Sequence, residues 1–331
     1  MRLAGLRFTI AVGCVLAAAT FALPSHAQDY PSKPVTFITP AAAGNSPDVV
    51  TRIVADKLSQ IWKQQIVVLN RPGAGGLIAA QAAAAPNIEK DGYTLYMTQA
   101  STWTVLPVMQ EGKMNVDLQK AFAPVGMVGE QPIAVAVNKD VPAKSVKELI
   151  DLANKSKDGL LFGATNRGGQ AHLTGELFRD RSKANLSFVH AAGGAATLND
   201  VIAGRIPIMF EGLAGLQPGI QGGGVRVLGV ASRKRLPNLP DLPAINETVP
   251  GVVSSGWIVL MAPAGVPDAI IGKLNADLRK VVAMKDVQDR FHTLGTYTRD
   301  LTPAQTGEFM RSEEKLWWPI VREVNKQQAA K

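Results

Sequence analysis

The stretch Val35–Asp48, VTFITPAAAGNSPD, decides the fold of this 331-residue chain. Its first five residues are all β-branched or aromatic, which favours a strand, and Pro40 ends that run. A loop of small residues follows. Ser46, Pro47 and Asp48 then have the character of a helix start: a capping serine, a proline at the first helical position and an acid in the first turn. The stretch therefore predicts a strand, a tight loop and a helix in direct succession.

The same succession repeats along most of the chain, and this repetition predicts an α/β protein with right-handed βαβ units and parallel sheets. The predicted strands are Val35–Thr39, Ile66–Leu69, Thr94–Thr98, Leu160–Ala164, Leu186–His190, Ile206–Phe210 and Val225–Ala231. The predicted helices are Pro47–Trp62, Leu77–Ala85, Ser145–Ser156, Gln170–Arg181, Ala195–Ala203, Ala214–Gln221 and, in an almost wholly helical C-terminal part, Val266–Met284, Val287–Leu294 and Thr302–Lys326. The last of these has a Thr302-Pro303 start signal.

Two apolar segments interrupt the repetition, Val125–Val137 and Gly256–Ala262. The first ends one series of βα units and the second follows the Pro-rich loop Leu236–Pro243, so we predict that both are crossover strands between two lobes. The length of the chain also favours two lobes. We expect residues 29–125 with part of residues 254–331 in one lobe, and residues 126–253 in the other.

The N-terminal segment has the pattern of an export signal. Arg2 and Arg7 precede the apolar run Phe8–Leu23, and the small residues around His26 fit cleavage after Ala27. The run is short for a membrane-spanning helix, which argues against a membrane anchor. We therefore expect residues 1–27 to be a cleaved signal peptide and the mature protein to be periplasmic.

Cysteine content and charge narrow the function. Cys14 is the only cysteine and lies in the expected signal peptide; a lipoprotein anchored there is a minor alternative. The mature chain would then have no disulfide and no thiolate nucleophile. Removal of Arg2 and Arg7 lowers the formal net charge of +8 to +6. The charges are dispersed and nucleic-acid-binding motifs are missing, so we expect no nucleic-acid partner; mild positive charge fits attraction of small anions.

Three strand-to-helix loops are candidates for ligand binding. They span residues 40–48, residues 166–170 and residues 191–195, and the second opens the helix that carries His172. Free backbone N–H groups and the positive end of the helix make such loops anion sites. The alternative is that glycine only allows tight turns. Three such loops, distributed over two facing lobes, favour a ligand cleft.

Signals for nucleotide binding and for catalysis are weak. Asn70–Gly76 resembles the first half of a dinucleotide fingerprint, but Ile78 occupies the third glycine position. Nucleophile-elbow, Walker A and H-E-x-x-H motifs are missing. A serine hydrolase using Ser46 or Ser101 with His172 would lack a recognisable third member. We therefore expect a binding protein without enzyme activity, cofactor or metal, and structural roles for at least two of the three mature histidines.

Several motifs resemble the solute-binding proteins of the tripartite tricarboxylate transporter family, also called the Bug family. They occur in the expected order over essentially the whole mature chain. The matching segments are Tyr30–Pro34, Asp48 with Arg52, Asn70–Gly76, Asp91–Leu95, Phe122–Val125, Val141–Ser145 and Ala262–Pro267.

The resemblance implies a type II periplasmic binding protein fold, with two Rossmann-like lobes joined by two crossover strands that close on an organic acid. It also implies a monomer that delivers this acid to a two-component membrane permease; a sensor that reports the acid to a signalling partner is the alternative. In the family the first loop holds a carboxylate largely through backbone groups and bridging water. By position, the implied ligand-binding residues are Ala42, Gly44, Asn45, Ser46, Asp48, Gln99, Ser101, Thr102, Arg167, Gly168, Gly169, Gln170, His172, Ala191, Gly193 and Gly194.

The sequence departs from the family pattern inside these loops. Ala41 replaces an aromatic residue, Asn45 replaces a glycine, and Ala191 and Ala192 replace a tyrosine and a lysine. The loss of two bulky side chains predicts an enlarged pocket, and an enlarged pocket with Arg167 favours a larger or aromatic dicarboxylate. Arg167 could bind a second carboxylate through its planar fork or pair with a surface acid.

Asp48 has two possible roles. It could stabilise the first turn of its helix by interacting with the helix dipole, or it could accept a hydrogen bond from the ligand or from a bridging water. The sequence leaves both open.

Overall fold

The computed structural model describes residues 30–43, 46–164, 168–190 and 193–329. The predicted signal peptide and Cys14 lie outside these residues. The strands are β1 (Val35–Thr39), β2 (Ile66–Asn70), β3 (Thr94–Gln99), β4 (Phe122–Asn138), β5 (Leu160–Ala164), β6 (Leu186–His190), β7 (Ile208–Gly212), β8 (Val225–Val230) and β9 (Ser255–Pro263). The helices are α1 (Ser46–Trp62), α2 (Leu77–Ala83), α3 (Ala100–Thr104), α4 (Leu106–Met109), α5 (Leu118–Ala121), α6 (Val146–Lys155), α7 (Gln170–Ser182), α8 (Gly194–Ile202), α9 (Leu213–Gln221), α10 (Ile245–Thr248), α11 (Asp268–Val282), α12 (Lys285–Thr293) and α13 (Pro303–Ala329).

Every predicted strand and helix is present, with its ends within about three residues of the prediction. The predicted start of α13 is also confirmed, because Gln305 N–H donates to Thr302 Oγ1 and Gln305 Oε1 accepts from Thr302 N–H. The sequence missed α3, α4, α5 and α10. These helices have only four or five residues, too few for a periodic apolar pattern.

Two groups of strands are parallel, as predicted. β1 lies between β2 and β3, with Val35 paired to Ile66 and Thr36 to Thr94. β5 lies between β6 and β7, with Leu160 paired to Leu186. Because parallel strands end at the same edge of a sheet, each group has one carboxyl edge where its loops meet.

The two crossover strands at the centre of the molecule run antiparallel to their neighbours, a direction that the sequence did not predict. β4 is antiparallel to β9 over residues 122–132, to β7 over residues 133–137 and to β8 over residues 134–138. This long strand leaves the first group of strands and enters the second running against their direction. An apolar run in the sequence indicates a buried strand but carries no information about its direction. The two predicted crossover strands are thus both strands, and they are paired with each other.

The buried side chains form clusters on both groups of strands, and α13 contributes to more than one. Met310 packs in the cluster of the first group, whereas Trp317 and Val321 pack in a cluster of the second. Between them, the buried Glu313 carboxylate accepts hydrogen bonds from the indole N–H groups of Trp257 and Trp317. α13 therefore anchors the middle of the fold. No helix in the described part of the chain is long and apolar enough to cross a membrane.

Candidate functional site

The segments that follow β1, β2 and β3 lie next to one another at the carboxyl ends of these strands. Arg71 N–H, just after β2, donates to the carbonyl of Thr39, the last residue of β1, at 2.8 Å. The Thr102 hydroxyl, in α3 after β3, donates to the carbonyl of Gly75 at 3.1 Å. The first loop, the turn 70–76 and residues 99–102 therefore form one edge.

The start of α1 is fixed by a network around Asp48. Asp48 is 2% exposed. Its Oδ2 accepts from Arg52 Nε at 3.0 Å and its Oδ1 from Asn70 Nδ2 at 2.7 Å. Both carboxylate oxygens thus have partners within the protein, which supports a structural role for Asp48; its role towards a ligand stays a prediction. The helix begins at Ser46 itself, whereas the sequence predicted Ser46 as the residue before the first turn.

Ser46 links this edge to the crossover strand β4. The side-chain amide of Gln131, on β4, donates to Ser46 Oγ. The same Nε2 lies 3.0 Å from Thr296 Oγ1. Sequence reasoning did not identify Gln131. Its only signal was a polar side chain inside the apolar crossover segment.

The remaining predicted residues of this edge differ in accessibility. Ala42 is exposed in the first loop, and Gly44 and Asn45 lie outside the described residues. Gln99 is partly buried at the end of β3, with its Nε2 3.4 Å from Ser101 Oγ. Thr102 is fully buried beneath the turn 70–76. A side chain at Gly76 would have its Cβ 2.2 Å from Thr102 Oγ1, so this contact requires a glycine.

In the second group of strands, His172 supports the loop before α7. Its Nδ1 accepts from Gly168 N–H at 2.9 Å. Its Nε2 lies 3.5 Å from Glu176 Oε1, and its ring centroid lies 4.0 Å from that of Phe188. At 2% exposed, His172 has the contacts of a structural histidine; ligand contact by His172 stays a prediction.

Gln170 joins the same loop to the crossover region. Its Nε2 donates to Ser254 Oγ at 2.8 Å, and Ser254 Oγ lies 2.6 Å from Thr174 Oγ1. Gln170 Oε1 is buried without a hydrogen-bond partner in the described part of the chain. Gly169 caps α7, and Arg167 lies outside the described residues.

Gly193 lies directly before α8 and has open space around it among the described residues. Gly193 caps α8 with a φ of +103°, and a Cβ added there would meet no heavy atom within 4 Å. The left-handed conformation, not crowding, therefore requires glycine at this position. Gly194 is the first residue of α8, and Ala191 lies outside the described residues.

Glu211 is a candidate residue that the sequence analysis missed. It is the penultimate residue of β7, at the same carboxyl edge as the loops after β5 and β6. Its Oε1 accepts from Gly212 N–H at 2.8 Å, while its Oε2 is buried without a partner. Burial raises the pKa of Glu211 to about 7. The signal was present in the sequence: an acid that ends an apolar strand and precedes a glycine and a helix.

The two carboxyl edges converge on residues 131–134 of β4. Gln131 binds Ser46 from the first edge, and Ile133 pairs with Gly212 from the second. Ser254, which binds Gln170, directly precedes the β9 residue that pairs with Pro132. The helix starts of α1, α7 and α9 are thus tied to one short stretch of the crossover strands.

The chemistry at this place suits binding. Its described polar groups are mostly neutral amides, hydroxyls and helix N-terminal N–H groups, which suit anions. Ser46 Oγ accepts from Gln131 Nε2, and Ser101 Oγ accepts from Gln99 Nε2. No hydrogen bond found among the described residues joins either serine to a histidine. These residues also include no cluster of His, Cys, Asp and Glu able to hold a metal ion.

A separate groove of about 710 Å³ lies on the opposite face of β4. Glu130 and Pro132 line it together with residues of α13, whereas Gln131 points towards Ser46. Successive side chains of a strand point to opposite faces. None of the predicted ligand residues lines this groove, so we distinguish it from the candidate site.

Comparison with known proteins gives consistent results. The family model described as "Tripartite tricarboxylate transporter family receptor" matches residues 50–326. The protein BugT of Bordetella pertussis is 30% identical over 318 residues, which cover 96% of this chain and 97% of BugT.

Three solved structures share the fold. The periplasmic binding protein BugD is 26% identical, with a TM-score of 0.74 over 89% of this chain and 98% of BugD. The R. palustris protein Rpa4515 with adipate is 27% identical, with a TM-score of 0.76 over 90% and 98% of the two chains. MatC from Rhodopseudomonas palustris with bound malate is 26% identical, with a TM-score of 0.74 over 88% and 100%. The chain therefore belongs to the tripartite tricarboxylate transporter receptor family, whose members are periplasmic solute-binding proteins and not enzymes.

Proposed function

We propose that this receptor captures a small organic dicarboxylate in the periplasm and delivers it to the permease of a tripartite tricarboxylate transporter. The observation that carries the proposal is the convergence of two carboxyl edges, with their helix N-termini, on residues 131–134 of β4. Three residues of a strand span about 10 Å, which matches the length of a short diacid. Relatives with the same fold hold adipate and malate.

In this proposal the two edges hold the two ends of the ligand. The loop after β1, including Ala42, Gly44, Asn45 and Ser46, binds one carboxylate through backbone N–H groups and water. The loops after β5 and β6 bind the other. Binding at both ends brings together the two lobes of residues 29–125 with part of 254–331 and of residues 126–253, a hinge closure typical of binding proteins.

Substitution of Arg167 tests whether this residue binds the second carboxylate of the ligand. If its guanidinium group holds that carboxylate bidentately, Arg167→Ala removes the preference for a diacid over the monoacid of the same length. If Arg167 pairs with a surface acid instead, the preference is unchanged. Competition of hexanoate against adipate in both proteins distinguishes the two.

A thermal-shift screen of the mature protein with mono-, di- and tricarboxylates tests the proposed function. A ligand that binds only the native state raises its stability by about 2.7 kcal/mol at one hundred times Kd. We expect the largest shift with a dicarboxylate. Absence of a shift with every carboxylate would contradict the proposal.

Delivery requires a separate experiment. Uptake of the labelled dicarboxylate in cells should need both the receptor and the permease subunits. Undiminished uptake in a strain that lacks the permease would contradict delivery and leave ligand capture intact.

A further inference from the structure

Glu211 lies between the N-termini of two helices. Side chains alternate along β7, so Glu211 points to the same face as Met209, against α8 and α9. A Cβ added to Gly215, in the first turn of α9, would lie 2.8 Å from Glu211 Cγ. The carboxyl group therefore rests on the start of α9.

The start of α8 lies at about the same height along the strands as Glu211, near the carboxyl edge of the sheet. Gly163 of β5 pairs with Met209 and packs against Thr197 of α8. Glu211 lies two residues beyond Met209 towards the carboxyl edge, about 7 Å. Gly193 lies one helical turn before Thr197, about 5–6 Å towards that edge. The carboxyl group of Glu211 thus lies close to both helix N-termini.

Only one of the two carboxyl oxygens of Glu211 has a hydrogen-bond partner among the described residues. Oε1 is bound by Gly212 N–H, whereas Oε2 is buried and has no partner among the described residues. The Glu211 residue as a whole is only partly buried. A buried polar atom without a partner is uncommon in proteins and costs about 1–3 kcal/mol. Two helix N-termini that attract anions flank a carboxyl group that could itself be an anion.

We propose that Glu211 is a specificity-determining residue that is protonated when a dicarboxylate binds and that donates its hydrogen to one ligand carboxylate at the N-termini of α8 and α9. The proposal rests on the proposed function. Two carboxyl groups that share a site cannot both be ionised without a large cost, so they retain one proton between them. Binding of a dianion therefore takes up a proton from solvent.

Few positively charged groups near Glu211 could stabilise two ionised carboxylates in place of this proton. α9 and residues 131–138 of β4 carry no ionisable group, and neither does β5. Asp200 of α8 is paired with Arg205. Further out lie His190, the last residue of β6, and His292, whose ring packs against Tyr297. His292 is close in sequence to Gly295, which lies beside Leu213 at the start of α9. Burial alone raises the pKa of Glu211 to about 7, against the opposing effect of Gly212 N–H.

Calorimetric titration at two pH values tests the proposal. Adipate, malate and phthalate are screened by thermal shift, and the diacid with the largest shift is titrated into wild type, Glu211→Gln and Glu211→Ala. With Glu211 titrating at about pH 7 in the free protein, wild-type Kd should weaken roughly eightfold from pH 6.5 to 8. Glu211→Gln keeps a hydrogen-bond donor without titrating, so its Kd should be tight and equal at both pH values. Glu211→Ala should bind about tenfold more weakly or worse.

Proton uptake provides a measurement that a purely structural role would not affect. Titrations at pH 7.5 in two buffers of different ionisation enthalpy should show uptake of most of one proton by wild type and none by Glu211→Gln. Glu308→Gln is the matched control, because Glu308 is an exposed carboxylate of α13, and it should behave like wild type. Circular dichroism verifies that each variant is folded.

The outcomes separate the two proposals. If wild type binds a diacid with the same affinity at both pH values, or Glu211→Gln keeps the pH dependence, the role of Glu211 is wrong and the receptor proposal stands. If wild type binds no diacid, the proposed function fails and the Glu211 proposal fails with it.

Discussion

Asn70 Nδ2 lies 2.7 Å from Asp48 Oδ1, and this contact joins the end of β2 to the first turn of α1. The same nitrogen lies 3.0 Å from the carbonyl of Ala41, and Asn70 Oδ1 accepts from Arg52 at 2.8 Å. One asparagine therefore fixes the base of the first loop. In the sequence Asn70 belongs to a different motif from Ala41, Asp48 and Arg52, and the structure shows that the four residues form one network.

Replacement of Asn70 by alanine should destabilise the protein. It removes the hydrogen bonds that Asn70 Nδ2 donates to Oδ1 of the buried Asp48 carboxylate and to the carbonyl of Ala41, which costs about 1–3 kcal/mol in the free energy of unfolding. Urea denaturation of Asn70→Ala measures this loss. Gln81→Ala is the control, because it removes an exposed amide–amide contact with Asn115, and it should change stability by less than about 0.5 kcal/mol.

Gly76 should tolerate substitution much less well than Gly112. Both have positive φ, +100° and +74° respectively, so alanine is strained at each. Only at Gly76 does the new Cβ clash, 2.2 Å from Thr102 Oγ1. We expect Gly112→Ala to cost about 1 kcal/mol and Gly76→Ala at least about 2 kcal/mol more. Equal losses in the two variants would show that the Thr102 contact relaxes freely.

Ser254→Ala should destabilise the connection between α7 and the crossover strands. The buried Ser254 hydroxyl is bonded to Gln170 Nε2 and Thr174 Oγ1, so its loss should cost about 1–3 kcal/mol. A double-mutant cycle with Gln170→Ala should give a coupling energy above about 0.5 kcal/mol. Ser312→Ala is the control, because the exposed Ser312 hydroxyl donates to the Phe309 carbonyl, and it should change stability by less than about 0.5 kcal/mol. Additive effects of the Ser254 and Gln170 substitutions would contradict the network.

Glu211 should also make the stability of the ligand-free protein depend on pH. Its folded pKa is raised from 4.5 to about 7, so between these values the folded state binds a proton that the unfolded state has lost. The contribution of Glu211 to the free energy of unfolding is therefore complete below about pH 4.5. It falls by roughly 1–3 kcal/mol as the pH rises to about 7.

The comparison of wild type with Glu211→Gln between pH 5 and 8 isolates this effect. Burial also raises the pKa of Glu313, but Glu313 is present in both proteins and its contribution cancels. The wild type should lose more stability than Glu211→Gln over this range. Parallel stability curves would show that Glu211 titrates at an ordinary pH.

The sequence predicted the elements well because each has a strong local signal. The run Val35–Thr39 and the Thr302-Pro303 start are examples, since both depend only on neighbouring residues. The direction of β4 was not predictable, because its apolar run fits a parallel or an antiparallel strand equally. The register that pairs Ile133 with Gly212 depends on residues far apart in the chain.

The candidate site was predicted in part. The loops were recognisable from glycine and small residues, and the structure places them at two carboxyl edges. The contacts of Gln131 and Ser254 were missed because each side chain lies far in sequence from its partner. Glu211 was missed because the burial of its Oε2 cannot be read from neighbouring residues. Asp48 and His172 had two possible roles in the sequence, and only their burial and partners favour the structural one.

The most direct test of the receptor account is calorimetric titration of the mature protein with adipate and with hexanoate, the monoacid of the same length, at pH 6.5. The account predicts one binding site per chain for the diacid and binding of the monoacid weaker by at least about tenfold, since one carboxylate then has no partner at the second edge. Equal affinity for the two acids, or no heat of binding with adipate, malate or phthalate, would contradict it.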